Sequence, residues 1–415
     1  MIERPFYLTK IEKSFRMVPI VALIGARQVG KTCLMKMVKT TGKQLFLNGQ
    51  DPETAELFQK LSVLEKYLRV YLDVEIKGYL LIDEFQFIDG IATMLKLLTD
   101  KHPDLNILCS GSSSLDIRQK IDESLAGRLR IIEVSSLSFR EYLLFKDIKL
   151  AELFDTLDAD TVSSALTSPF ETLLNDYLLY GGFPRSALTD DPEEKIAILD
   201  DIYKTYLLRD VRSYIRNEHF VGFNKLLRLL AVQIGNLLNI NELSRESGLP
   251  YKKCEEYIAL LEQMYIIKLV EPYYTNKRKI ITKMKKIYFC DLGLRNLICS
   301  NFGELTYRPD NGSLFENYVL SEIWRGKKPG INVWFYRTND GVEVDFVVDT
   351  TQEKVAIECK YKTFNQPISV RAMDNFCDME GISRKYIINR NLNTFYNGAK
   401  YIQGFLAGEI FNVEW

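Results

Sequence analysis

Eight consecutive residues, Gly25-Ala26-Arg27-Gln28-Val29-Gly30-Lys31-Thr32, set two glycines ahead of a lysine and a hydroxyl residue. Glycines at those places let the backbone close round a phosphate chain, so that successive N–H groups and the start of a helix face negative charge. Lys31 would then reach the terminal phosphates and the Thr32 hydroxyl would ligate Mg²⁺, which makes residues 25 to 32 the expected ATP cradle. Hydrolysis needs acids as well. Asp83 and Glu84 end the apolar run Tyr79-Leu80-Leu81-Ile82. Asp83 suits a Mg²⁺ ligand, and Glu84 suits the group that polarises an attacking water. Each pattern alone could be a turn. Together, in this order, they point to nucleotide binding and hydrolysis.

A second constellation lies near the other end of the chain. Gly341 to Val348 and Lys354 to Lys360 read as two alternating strands around a turn at Asp349 to Glu353. Matching their apolar faces in an antiparallel hairpin puts Asp345, Glu358 and Lys360 on one face, and a turn at Thr351-Gln352 sets Asp345 opposite Glu358. Facing carboxylates repel unless a cation lies between them. Mg²⁺ ligated by Asp345 and Glu358, with Lys360 to orient or deprotonate a water, would suit attack on a phosphodiester. Glu316 falls on the apolar face of a helix over Ser313 to Trp324, where an acid is unusual. It is expected either to pair with a cation or to face the metal. The plainer alternative is a half-buried hairpin with surface charges.

These residues need rigid elements behind them. Val18 to Ile24 reads as a buried parallel strand entering the loop, and Leu34, Met35 and Val38 have helical spacing after it. Gln44 to Leu47 and Asn106 to Ser110 are further strands; Pro52 to Leu72 and Ile91 to Leu98 are helical. The expected fold is α/β, with a P-loop parallel sheet in residues 1–140. Ser138 to about Phe220 is helical, with a loop over Asp155 to Ser168 and a break at Gly181-Gly182-Phe183-Pro184, so residues 141–222 are a helical lid or connector. Residues 223–286 look like a winged helix-turn-helix, with helices at Leu226–Leu238, Asn241–Glu246 and Tyr251–Met264 and a wing from Ile266. Residues 287–415 carry the second constellation.

Lys252 and Lys253 open the third helix of that module, and Lys277 to Lys286 add a basic stretch. Residues 223–288 hold twelve Lys/Arg against six Asp/Glu. This is the footprint of a DNA phosphate contact, although winged helices also bind proteins. Over the whole chain the formal charge is only −1, so no global field points to nucleic acid or membrane. Seven scattered cysteines without a CxxC pair read as reduced core residues, and two histidines, His102 and His219, leave little room for histidine triads or zinc catalysis. With no apolar leader at the N-terminus and no run of about 18 apolar residues, a cytoplasmic protein without a membrane span is expected.

The chain resembles a family of archaeal and bacterial AAA-type ATPases that join a P-loop domain and a winged helix to a C-terminal PD-(D/E)xK nuclease-like, restriction-endonuclease-like α/β domain. The matching segments are GARQVGKT, LLIDEFQ, SGSSSL, SLAGRL, SLSFREYL, YGGFP, IYFCDLGLRN, SLFENYVLSEI, EVDFVV and IECK. The resemblance implies Lys31 and Thr32 at nucleotide and Mg²⁺, Asp83 and Glu84 at hydrolysis, and Glu316, Asp345, Glu358 and Lys360 as the nuclease-like set. Val344 stands where the motif name has proline. Ser110 occupies the strand end where such ATPases sense the γ-phosphate, or else caps a turn. Arg128 is the candidate arginine finger, one that would couple the subunits of a homo-oligomer if it acts in trans, with a surface arginine as the alternative. The expected function is an ATPase whose nucleotide state controls DNA binding and Mg²⁺-dependent cleavage. An ATP-gated DNA-binding or regulatory scaffold with a silent nuclease-like domain, or an ATPase that remodels protein, are the rivals.

Overall fold

The computed structural model describes residues 2–40, 42–112, 125–157, 164–274, 284–327, 330–338, 341–350 and 352–411. Chain contacts divide it into two compact units: residues 1–135 with 263–265, and residues 136–262 with 266–415. The expected helical connector and C-terminal domain fall within the second, as does the winged module apart from residues 263–265.

In the first unit, β1 (Ile20–Ile24), β2 (Gln44–Asn48), β3 (Gly78–Asp83), β4 (Leu105–Gly111) and β5 (Leu129–Glu133) form a parallel sheet in the order β2-β3-β4-β1-β5. Every residue of β1 is buried, as the unbroken apolar run requires of a central strand. At the edge, β2 is mostly open to solvent. The expected helix over Pro52 to Leu72 is two helices, Pro52–Leu57 and Leu61–Tyr71. A helix the sequence did not announce, Pro5–Phe15, precedes β1 and buries Tyr7, Leu8, Ile11 and Ser14.

The second unit begins with helices, including Phe139–Lys146, which a reciprocal Ser138–Glu141 capping box starts. The helix Ser164–Tyr180 begins inside the stretch expected to be a loop. It ends before Gly181 and Gly182, where the sequence puts the break. Helices Phe220–Val232, Ile240–Ser247 and Tyr251–Gln263 follow, with Gly248 at φ +74° closing the second. The first stops short of the expected Leu238 because Gly235, at φ +76°, turns the chain into an extended segment. That segment pairs with β7 through Gly235 N–H to the Ile287 carbonyl and Leu238 N–H to the Lys285 carbonyl, both 2.8 Å.

β6 (Ile267–Pro272), β7 (Lys286–Phe289), β8 (Asn332–Arg337), β9 (Glu343–Asp349), β10 (Lys354–Cys359), β11 (Arg384–Asn389), β12 (Thr394–Tyr396) and β13 (Ala399–Gln403) make one mixed sheet. Its order is β12-β13-β11-β10-β9-β8-β6-β7. The antiparallel pair β6–β7, where the sequence puts the wing, is therefore one edge of the same sheet that carries Asp345 and Glu358. β9 and β10 pair antiparallel with Asp349 across from Lys354 and Phe346 across from Ile357. One step on, that register sets Asp345 opposite Glu358. The plainer expectation of a hairpin with one open face is not met. Phe346, Val347, Val348, Ala356 and Ile357 are all buried, so both faces are covered.

Asp310 anchors the turn into the helix Asn311–Gly326, accepting from Arg308 at 2.8 and 2.9 Å and pairing with the buried Arg295. Burial works against its carboxylate, but the hydrogen bonds from Arg308 and Arg295 outweigh it and hold the pKa at about 2. A carboxyl depressed on folding stabilises the protein above its ordinary pKa, and that contribution fades as pH falls through the folded value. About 2 kcal/mol should be lost between roughly pH 4 and pH 2. Urea titrations at pH 7 and pH 2.5 should show the wild type outlasting Asp310→Asn at the first pH, with the gap closing at the second.

Candidate nucleotide site and acidic centre

β1 delivers the chain to Gly25, and the loop turns back into the helix Lys31–Met37. Three residues of the loop have positive φ: Gly25 (+152°), Gln28 (+62°) and Gly30 (+96°). Gly25 and Ala26 are buried, Arg27 and Gln28 are half-buried, and Val29 packs into the core. Lys31 Nζ donates to the carbonyls of Gly25 (2.9 Å) and Ala26 (2.7 Å), which holds the ammonium over the loop. Burial lowers its pKa to about 8, with Glu84 and Asp83 opposing the shift. A phosphate chain there would meet the Lys31 ammonium and a curved run of backbone amides.

β1, β3 and β4 end side by side, and their register brings the polar residues to that edge. Thr32 Oγ1 donates to Asp83 Oδ2 at 2.8 Å. The other Asp83 oxygen accepts from Ser110 Oγ, which also receives the Glu84 N–H at 3.4 Å. Thr32 and Asp83 thus offer two hard oxygens at one point, a donor set that fits Mg²⁺. Glu84 has φ +50°, uncommon for a residue with a side chain. Its carboxylate accepts from Gln86 Nε2 (2.5 Å) and Ser112 Oγ (3.4 Å), and Gln86 also donates to Ser112 at 3.3 Å. Neither Gln86 nor Ser112 was anticipated. In the sequence Gln86 shows only as the end of the LLIDEFQ segment, two residues after Glu84.

Arg4 was also missed. It is buried, donating to the Val29 carbonyl at 3.0 Å and the Ser135 carbonyl at 3.1 Å, so it fastens the back of the loop to the chain leaving β5. Arg128 lies elsewhere. It precedes Leu129, which pairs with Ile20 at the opening end of β1, while the loop follows Ile24 at the other end. Five residues of strand separate them by roughly 15 Å. Arg128 pairs with Asp100 at 2.7 Å. At that distance Arg128 does not reach its own chain's loop, and only a role toward another subunit stays open to it.

In the second unit the helix Asn311–Gly326, β9 and β10 bring Glu316, Asp345 and Glu358 together. Glu343 joins them: carboxylate oxygens of Glu316, Glu343 and Asp345 lie within 4.8 Å of one another. Asp345 Oδ2 accepts the Cys359 N–H at 2.7 Å, and Lys360 Nζ donates to Glu358 Oε1 at 2.6 Å. Glu358 is 5% exposed, and its Oε2 is buried with no hydrogen-bond partner among the described residues. Burial, then the charges of Glu316 and Glu358, push the Asp345 carboxyl well above its ordinary range. Burial likewise raises Glu358, against the pull of Lys360. A cluster of hard oxygens, one of them unpaired and buried, fits a divalent cation.

The basic stretch needs correction at this point. Lys286 is 1% exposed and donates to Glu316 Oε1 at 2.9 Å while also pairing with Glu343. It belongs to the acidic centre and cannot meet DNA. Lys285 pairs with Glu271 at 2.9 Å, and Lys253 with Glu256. Lys252 is exposed at the start of its helix. Lys277, Arg278, Lys279 and Lys283 lie outside the described residues, as do Ser113 and Ser114. Among the described residues no helix is long and apolar enough to cross a membrane.

Residues 18–143 match the AAA domain family. Residues 171–304 and 311–403 match two domains of unknown function, DUF8612 and DUF4143. An uncharacterized protein of Mycobacterium tuberculosis is 25% identical over 364 residues, covering 87% of this chain and 74% of its own. Another, from Methanocaldococcus jannaschii, is 28% identical over 337 residues, covering 79% and 72%. Among solved structures, a Walker-type ATPase of Pyrococcus abyssi aligns over 72% of this chain and 96% of its own, with a TM-score of 0.50 at 15% identity. That likeness is one of fold.

Proposed function

We propose that this chain, which carries an AAA-type P-loop ATPase domain at residues 18–143, binds ATP with Mg²⁺ and hydrolyses it using Glu84. The observation that supports this most directly is the Thr32–Asp83–Ser110–Glu84 chain of contacts beside the loop. Backbone amides of residues 25–30 and the Lys31 ammonium bind the phosphates. Thr32 and Asp83 would hold Mg²⁺, which neutralises charge on the phosphate oxygens. Glu84 orients water and takes its proton, while Gln86 and Ser112 fix its carboxylate. Ser110 ties Asp83 to the Glu84 backbone, so the two acids keep separate roles. Phosphate release measured in Mg²⁺ and in EDTA tests the reading; turnover unaffected by EDTA would sink it.

A second activity is supported by the unpaired Glu358 oxygen. Glu316, Asp345 and Glu358 would hold a divalent cation that activates a phosphodiester, with Lys360 orienting the water. DNA would be met by Lys252 and by Lys277, Arg278, Lys279 and Lys283, under control of the nucleotide state. In a homo-oligomer Arg128 would act on a neighbour's nucleotide. Labelled single-stranded, duplex and branched DNA incubated in Mg²⁺ or Mn²⁺, with and without ATP, should be cut by the wild type and left intact by Asp345→Ala. Both should turn over ATP at the same rate. DNA bound but uncut would favour an ATP-gated binding module with a silent acidic centre.

A further inference from the structure

Lys286 is the most deeply buried cation of the second unit's acidic centre, and nothing in its sequence surroundings sets it apart from its basic neighbours. It leaves the sheet edge at the first residue of β7, a strand held between β6 and the segment at Leu237. Its ammonium takes Glu316 Oε1 and Glu343 Oε1. These are two of the three carboxylates whose oxygens lie close enough together to share one ion, the third being Asp345. Tyr288, two residues on, also donates to Glu316 Oε1 at 2.5 Å, and Arg337 holds the other oxygen of Glu343 at 2.9 Å. Glu343 is thus gripped from both sides, and the ammonium is aimed at the cluster.

An ammonium buried this completely is costly unless several carboxylates compensate it. Here they do: burial alone would lower the Lys286 pKa, but Glu316, Asp345 and Glu343 outweigh it and raise it. Compensation in the other direction is incomplete. Among the described residues, the cations that face Glu316, Glu343, Asp345 and Glu358 are Lys286 and Lys360 inside the centre and Arg337 at its rim. The unpartnered Glu358 Oε2 marks the side on which an acceptor is left over.

We propose that Lys286 is a tethered cation that occupies the centre in place of a divalent metal, so that a metal binds only by displacing its ammonium from Glu316 and Glu343. The inference rests on reading Glu316, Asp345 and Glu358 as a cation site. Two positive charges on the same carboxylate oxygens repel, so the lysine lowers metal affinity by the free energy needed to move it. Because Lys286 is also the first residue of the wing strand, a ligand that shifts that strand would change metal affinity, and metal binding would change the affinity for that ligand equally.

Mn²⁺ binding to the full chain without nucleotide, followed by calorimetry and by the loss of the free-ion EPR signal, tests this. Lys286→Met should bind Mn²⁺ at least about tenfold more tightly than the wild type, since a competing charge at contact distance is gone. Lys286→Arg should bind no more tightly than the wild type, and adding Asp345→Asn to Lys286→Met should abolish the gain. If Lys286→Met does not fold without metal, Lys286→Met/Glu343→Gln removes one charge of each sign and serves in its place. Equal affinities for wild type and the Met variants would overturn the tethered-cation role while leaving the cation site standing. No binding to any of them at millimolar Mn²⁺ would overturn both.

Discussion

Glu84→Gln is expected to bind ATP as tightly as the wild type while hydrolysing it roughly 10²- to 10⁴-fold more slowly, the usual span for loss of a general base. The amide keeps the size and the contacts to Gln86 and Ser112 but cannot accept the proton that water gives up. The backbone should stay in place too, because the Glu84 N–H reaches Ser110 and φ +50° is set by the chain's path after β3. A residue with a side chain in that conformation is under strain, and strain of this kind collects at functional positions. Fluorescent-nucleotide titration combined with phosphate release separates the two effects. Turnover within about tenfold of the wild type would remove Glu84 from the chemistry.

The second large effect concerns Gly25. A Cβ there would run into the carbonyl oxygen of Val134, whose own N–H donates to Ile24 at 2.7 Å and so cannot retreat without breaking the pairing of β1 with β5. Gly25→Ala should therefore cost about 3 kcal/mol or more through overpacking and strain together, and nucleotide affinity should fall with it. Gly90→Ala is the matched control. Gly90 also has positive φ, +68°, but nothing lies within 4 Å of its added Cβ, so only about 1 kcal/mol of backbone strain is expected. Thermal melts and ATP titrations of the pair should diverge; equal behaviour would show that the Val134 contact yields.

The geometry of the candidate nucleotide site was legible because its signals are local. A buried run, a glycine loop and a lysine–threonine pair lie within a few residues, and Asp83 and Glu84 follow directly on a second buried run. The β9–β10 register was legible for a related reason: alternation of apolar residues on two neighbouring strands leaves few ways to match them. Lys286 was hidden because a run of basic residues carries no mark of which one turns inward. That is decided by β7 meeting β6 and by Glu316 arriving from a distant helix. Arg4 was hidden because a single arginine before a helix has no pattern. Adjacency to glycine says nothing about which end of a parallel strand Arg128 occupies, so the sequence left open whose nucleotide it could face.

The strand order of the first unit has a consequence for the chain as it is made. β1 lies between β4 and β5, yet it is the first strand to leave the ribosome, and β4 begins some 85 residues later. At roughly 5–20 residues per second, Ile20 to Ile24 must wait on the order of ten seconds before either lateral partner exists. During that interval the most apolar strand of the sheet is uncovered, while the edge pair β2 and β3 can already form. Factors that shelter nascent chains should matter most for this segment, and slowing translation between residues 24 and 105 should lower the yield of soluble protein.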